Sequence, residues 1–335
     1  MESDGNESDG RALAGGEGFE LPTVLAGLDS DEPARRKRAL EAVRETVDTD
    51  PEACLPTVPK LRALLETESS DAEEPIAYSL AELAQESPDD VAPSVPGISS
   101  CVTEDLSQQA TQELFRCLHA VAEERPDTVV DHVDELVAVL EERSSVDRWS
   151  VELMAELSKE YPTEITSALS LLREVLHTAP RTGGVSALTA IGRVVRADAV
   201  STFDFVDDVV SLVDHDDRAL RNNAIACLGD VARTAPETIE PHCSTIATAL
   251  ESDDPTTRAN AAVTIGRLAA DTNEVRAQRR LVELLSDEHA QVRANACTAI
   301  GHGRVGTARG ALEELADRDP DAAVRERAAW ASAQL

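Results

Sequence analysis

Five segments of this chain share one form, in which a polar helix end is followed by proline and then, in most copies, by an acid: TDPEAC, ESPDDV, ERPDTV, EYPTEI and TAPETI. Their prolines are Pro51, Pro88, Pro126, Pro162 and Pro236, at spacings of 37, 38, 36 and 74 residues. The last interval is two periods of 37, so one mark is missing near residue 199, where Asp198 and Ala199 stand instead. A fixed period of this length is the signature of a repeat array, in which each unit buries its apolar face against its neighbours. That constraint outweighs the length of 335 residues, which alone is compatible with two ordinary domains.

Each unit reads as helix, proline-marked turn, helix. A second proline follows five residues later in three copies, at Pro56, Pro93 and Pro241, where the first turn of a helix accepts it without losing a bond. Apolar residues at helical spacing come next, as in Val58, Leu61, Leu64 and Leu65, or Val133, Leu136, Val137 and Leu140. The second helix is clearest in RNNAIACLG (221–229), RANAAVTIG (258–266), RANACTAIG (293–301) and RERAAWAS (325–332), and Arg36 with Ala39 repeats its beginning near the other end of the chain. Small residues three and four after the arginine, and an aliphatic one seven after it, fall on a single helix face that must pack on neighbouring helices. Aromatic residues are only 2% of the chain, so small aliphatic side chains supply the core of these stacked helices.

The stretches DDPTTRANAAVTIG, DEHAQVRANACTAIG and DPDAAVRERAAW resemble HEAT-like repeats, including those named for phycobilisome lyases, in which an acidic turn precedes V-R-x-x-A-x-x-A-L-G. The resemblance covers roughly residues 19–335, is most specific in the first repeat and the last four, and thins between 98 and 200. It implies an all-α fold, a right-handed α-α superhelix or HEAT-repeat solenoid of about nine helix pairs. Residues 1–18 are expected to form a disordered acidic tail, and 19–335 the solenoid. A flexible joint is expected near 180–200, because Gly183 and Gly184 stand where helix formers belong and glycine costs about 1 kcal/mol relative to alanine inside a helix.

The formal charge is -33, and only Lys37, Lys60 and Lys159 among the 31 basic residues are lysine. Such a surface repels itself in dilute buffer, but at molar salt the screening length falls to about 3 Å. The composition therefore predicts adaptation to a salt-rich cytoplasm, as in halophilic archaea. The N-terminus MESDGNESDG lacks the basic and apolar regions of a signal peptide, and no apolar run approaches the length of a membrane span, so a cytoplasmic location without membrane contact is expected.

Catalytic motifs are sparse. GHGRVG (301–306) fits G-x-G-x-x-G, but it follows a helix instead of a strand, so its glycines are read as caps and turn residues. The histidines His119, His132, His177, His215, His242, His289 and His302 do not recur at one repeat position, unlike the paired His-Glu ligands of HEAT-like hydroxylases, and are read as isolated. The cysteines Cys54, Cys101, Cys117, Cys227, Cys243 and Cys297 form no C-x-x-C pair and are read as buried, reduced thiols. No cofactor, no metal and no catalytic residue is expected.

Binding is the function such a fold implies: a scaffold or adaptor whose partner is a protein. A nucleic-acid-associated role and an accessory or lyase-like enzyme subunit are the alternatives. The recurring Arg36, Arg221, Arg258, Arg293 and Arg325 are expected to form a ladder with acids such as Asp217, Asp254 and Asp321. Asn223, Asn260 and Asn295, each two residues after an arginine, fit either an inter-repeat hydrogen-bond ladder or a polar binding stripe. Residues 255–335 carry 11 arginines and 11 acids, so the entire negative charge lies elsewhere. This neutral third, with Arg267, Arg276, Arg279, Arg280, Arg304 and Arg309 outside the ladder position, is the candidate surface for an acidic partner, a protein in preference to nucleic acid.

Overall fold

In the computed structural model the described residues are 19–67, 72–103, 105–143, 146–272, 275 and 277–335. The expected N-terminal tail, 1–18, and one candidate site residue, Arg276, lie outside them. Helix accounts for 79% of the described residues, and there is no strand among them. The chain forms two compact units, one ending at Glu160 and one beginning at Tyr161, and each is a stack of helix pairs, the arrangement of an α-solenoid.

The second helices of the pairs are α1 (Pro33–Val47), α2 (Glu73–Glu86), α3 (Gln108–Glu124) and α4 (Arg148–Leu157) in the first unit. In the second they are α5 (Pro180–Arg196), α6 (Arg218–Thr234), α7 (Pro255–Thr272), α8 (Ala290–His302) and α9 (Ala322–Gln334). Within each unit consecutive second helices pack on one another. Nine such helices among the described residues match the nine pairs read from the repeat.

The prolines act one step earlier than a simple turn. Pro51, Pro88, Pro126 and Pro236 are each the first residue of a four-residue helix, where a fixed φ is an advantage and the missing N–H is not needed. Pro56, Pro93 and Pro241 then lie in 3-10 turns, before Val58, Val95 and Cys243 begin the longer helix. Where the mark is missing near 199, Asp198 takes a left-handed conformation (φ 54°), and the Ala199 N–H reaches back to the Val194 carbonyl at 3.3 Å. A bond across six residues with a left-handed residue inside it is the Schellman way of ending a helix.

Stretch 180–200, where the sequence places a joint, is continuous helix to Arg196 followed by this turn. Gly183 and Gly184 are buried within α5. A Cβ on Gly184 would lie 2.7 Å from Leu220 Cδ2, so the missing side chain lets α6 approach.

Gly301 also has a packing role in place of the expected capping one. It lies inside α8, and a Cβ there would meet Trp330 at 2.5 Å and Ala331 Cα at 2.9 Å. Gly303 has an ordinary φ of -80°, and the left-handed position falls to Arg304 (φ 48°), with the Val305 N–H bonded to the Ile300 carbonyl at 3.1 Å. GHGRVG thus ends a helix, as read, but Gly301 and Gly303 serve close contact, while a Cβ on Gly306 would meet nothing within 4 Å.

Candidate functional site

The recurring arginines hold the second unit together in two directions. Nη1 of each donates to the carbonyl six residues before it: Arg221 to His215 at 2.6 Å, Arg258 to Ser252 at 2.8 Å, Arg293 to Asp287 at 2.7 Å and Arg325 to Asp319 at 2.7 Å. Arg36 does the same with Ser30 at 2.7 Å in the first unit. The other edge of the guanidinium reaches forward. Arg258 grips Asp287 at 2.7 and 3.0 Å, and Arg293 grips Asp319 at 2.8 and 2.9 Å.

The ladder therefore exists, but its carboxylates belong to the following repeat. Asp217, Asp254 and Asp321 instead cap their own helices, accepting N–H bonds from Ala219 and Leu220, from Thr257, and from Ala323 and Val324. A short carboxylate at that position sits where the first turn leaves its amides unpaired.

The asparagines divide. Asn260 Nδ2 donates to the Asn222 carbonyl at 3.3 Å, and Asn295 Nδ2 to the Ala259 carbonyl at 3.1 Å, both in the preceding repeat. Asn223 bonds the Ala219 carbonyl of its own helix at 2.9 Å. The residue that sequence reading passed over is Asn222, which donates to Asp254 at 3.0 Å and accepts from Thr257 at 2.6 Å.

The candidate arginines also divide. Arg267 Nη1 donates to Asp230 at 3.1 Å, and Arg196 binds the other oxygen of the same buried carboxylate. Arg280 ties back to Glu251 at 2.5 Å and to the Ala247 carbonyl at 2.9 Å. Arg279 pairs with Glu283 at 3.3 Å along its own helix and stays exposed. Arg304 and Arg309 are exposed, and among the described residues neither side chain makes a hydrogen bond or ion pair.

A groove of about 930 Å³ opens in the first unit, between the end of α2, the outer turns of α3 and the helix α4. Arg116 crosses it at 12% exposure, held by Glu82 and Glu113 at 2.7 Å each. Tyr78 lies beneath two guanidinium groups, with Arg44 3.6 Å and Arg116 5.3 Å from its ring centre, and donates to Asp48 at 2.8 Å. That bond pushes the tyrosine hydroxyl up to about 12 and, with Arg44, holds Asp48 below the usual carboxylate range.

Beside Arg116, the ring of His119 tilts against Trp149 at 5.5 Å. His119 and Glu123 share one face of α3, four residues apart, and α4 brings Glu156 up to them: one donor atom from each of the three lies within 4.8 Å of the others. Lys159 caps this cluster, its Nζ 2.5 Å from Glu156 Oε2. Five carboxylates line the groove (Glu86, Asp89, Glu123, Glu124, Glu156) against two cations, Arg116 and Lys159. Sequence reading treated His119 as isolated, because Glu156 is far along the chain and only the α3–α4 packing joins them. The available sequence signal was the concentration of aromatics, since Tyr78 and Trp149 are two of just four Tyr and Trp residues.

Burial raises the Cys54 thiol to about 11 and those of Cys117, Cys227 and Cys297 to about 12, which suits the reading of these cysteines as buried, reduced thiols. No described helix is long and apolar enough to cross a membrane.

Residues 278–335 match the family model of HEAT repeats. Residues 219–303 match that of non-SMC mitotic condensation complex subunit 1, and 93–253 that of the sister chromatid cohesion protein PDS5. No curated protein matches the sequence. Among solved structures, the crystal structure of an engineered protein is similar in fold, with 17% identity and a TM-score of 0.60 over 94% of this chain and 98% of that one. Together with the stacked helix pairs, these matches support a HEAT-repeat protein.

Proposed function

We propose that the chain is a non-catalytic scaffold of a chromosome-associated complex, and that the acidic groove of its first unit takes a basic segment of a protein partner. The groove carries this reading: an amphipathic Trp149 at its wall, and five carboxylates against two cations, Arg116 and Lys159. A surface so charged attracts lysine- and arginine-rich segments and repels phosphates, which favours a protein over nucleic acid as occupant. The likeness to condensation and cohesion subunits supports the setting, and α3 and α4 lie inside the stretch similar to PDS5. The charge of -33 supports a salt-rich cytoplasm as the place of work.

A second surface has its own observation in favour. The neutral stretch 255–335 exposes Arg304 and Arg309 without partners among the described residues, which suits an acidic protein segment. Arg267 and Arg280 drop out of that surface, because they brace neighbouring repeats.

A photo-crosslinking residue in place of the exposed Gln85, used in native lysate at molar salt, tests the groove. The expected product is a protein joined through a lysine- or arginine-rich peptide. Crosslinks to acidic peptides or to nucleic acid contradict the reading.

A further inference from the structure

We propose that His119, Glu123 and Glu156 form a binding site for one divalent transition-metal ion of the zinc or cobalt type. The site lies in the groove that the scaffold reading gives to a partner, but it is argued from the donor geometry and its test uses the metal alone, so the two readings can fail separately.

Imidazole nitrogen with two carboxylates is a donor set that suits Zn²⁺ and Co²⁺, and three protein ligands leave a fourth position for water or a ligand. Zinc–ligand bonds of about 2.0–2.2 Å place donor atoms about 3–4 Å apart. His119 Nδ1 already stands 3.9 Å from Glu123 Oε2, and all three donors lie within 4.8 Å of one another. Glu123 is 57% exposed and free to close the difference by a change of rotamer, while His119 and Glu156 are 15% and 14% exposed and held more firmly. Trp149 against the His119 ring restricts its orientation, the service that partners outside the ligand set give a metal-binding histidine.

A cation already occupies part of the site. Lys159 Nζ lies 2.6 and 2.5 Å from the two oxygens of Glu156, at the end of a flexible stem whose side chain is 52% exposed. An ammonium group there neutralises the carboxylate that a metal would use, and its exposure lets it swing into solvent when a doubly charged ion arrives. Lys159 is thus a built-in competitor, and its removal is expected to strengthen metal binding.

The test uses the full chain with Trp330→Phe, which leaves Trp149 as its one tryptophan. Cobalt chloride is titrated in molar potassium chloride at pH 7.5, with Trp149 fluorescence and visible absorption as readouts and far-ultraviolet dichroism as the check on folding. The expected result is saturable quenching at one Co²⁺ per chain, reversed by Zn²⁺, several-fold tighter in Lys159→Met, and lost in His119→Gln and Glu156→Gln of unchanged helicity. Failure of Lys159→Met to bind one ion, or binding that survives both glutamine substitutions, overturns the proposal. If either glutamine variant loses helicity, Glu123→Gln replaces it, with the same loss expected and retained binding counting against the site.

Discussion

Arg293 closes on Asp319 through two parallel N–H···O bonds of 2.8 and 2.9 Å while its third edge holds the Asp287 carbonyl at 2.7 Å. One side chain therefore fixes the turn of its own repeat and the start of the next. Arg258 repeats the arrangement with Asp287 and the Ser252 carbonyl. Both carboxylates are buried, at 2% and 7% side-chain exposure, so each relies on its guanidinium for the solvation it has lost.

Arg293→Ala is accordingly expected to destabilise the second unit by about 3–5 kcal/mol, because it strands a buried charge. Replacing both partners by apolar residues of similar volume, as in Arg293→Met with Asp319→Leu, is expected to recover much of that loss. Denaturant midpoints of the two single variants and the double one check this. A double variant no more stable than Arg293→Ala would contradict the assignment.

The same pair sets an acid limit. Arg293 holds Asp319 below the usual carboxylate range, and Arg258 does so for Asp287 against the opposing effect of burial. A carboxyl group whose native pKa is depressed contributes stability that is full above its unfolded value and is lost as pH falls through the native value. The stability advantage of the wild-type chain over Asp319→Asn should be flat near neutrality and shrink once pH drops below about 4. Thermal midpoints from pH 7 to pH 3 read it directly, and an advantage that grows in acid would refute the sign.

Helix α8 offers a paired test of backbone strain and packing. Arg304 occupies a left-handed conformation that costs a side-chain-bearing residue about 1 kcal/mol, so Arg304→Gly should be neutral or stabilising by up to that amount. Gly303→Ala, one residue earlier, would bring a Cβ within 2.2 Å of Val275 Cγ2 and should cost about 1–3 kcal/mol. The opposite ranking of the two midpoints would show that the turn is misassigned.

With a net charge of -33, thermal stability should climb with potassium chloride toward molar concentrations as repulsion between carboxylates is screened. A midpoint that falls with salt would remove the salt-adapted reading.

The repeat was legible because prolines and arginines recur with the helix-pair period, and each has a local reason to be where it is: Pro51 opens a helical turn, and Arg258 ties its own turn shut. What lay between repeats was hidden. Asp287 follows Arg258 by 29 residues and Asp319 follows Arg293 by 26, so no constant offset pointed to the pairs. Gly301 matched a cap by position, yet serves the approach of Trp330 and Ala331, which only three-dimensional packing reveals. The groove depends on the same kind of packing, since α2, α3 and α4 each contribute a few side chains with no shared motif. Among the arginines selected by their departure from the ladder, Arg267 and Arg280 proved to brace neighbouring repeats through Asp230 and Glu251, contacts that composition does not encode.

Copurification at molar salt with two charge reversals of equal size tests the central claim most directly. One variant carries Glu86→Arg and Glu124→Arg on exposed positions of the groove, and the other Arg304→Glu and Arg309→Glu on the neutral C-terminal stretch. With helicity and thermal midpoint unchanged in both, the account predicts that the groove variant loses its principal protein partner while the C-terminal variant keeps it. Retention by the groove variant together with loss by the C-terminal one would contradict it.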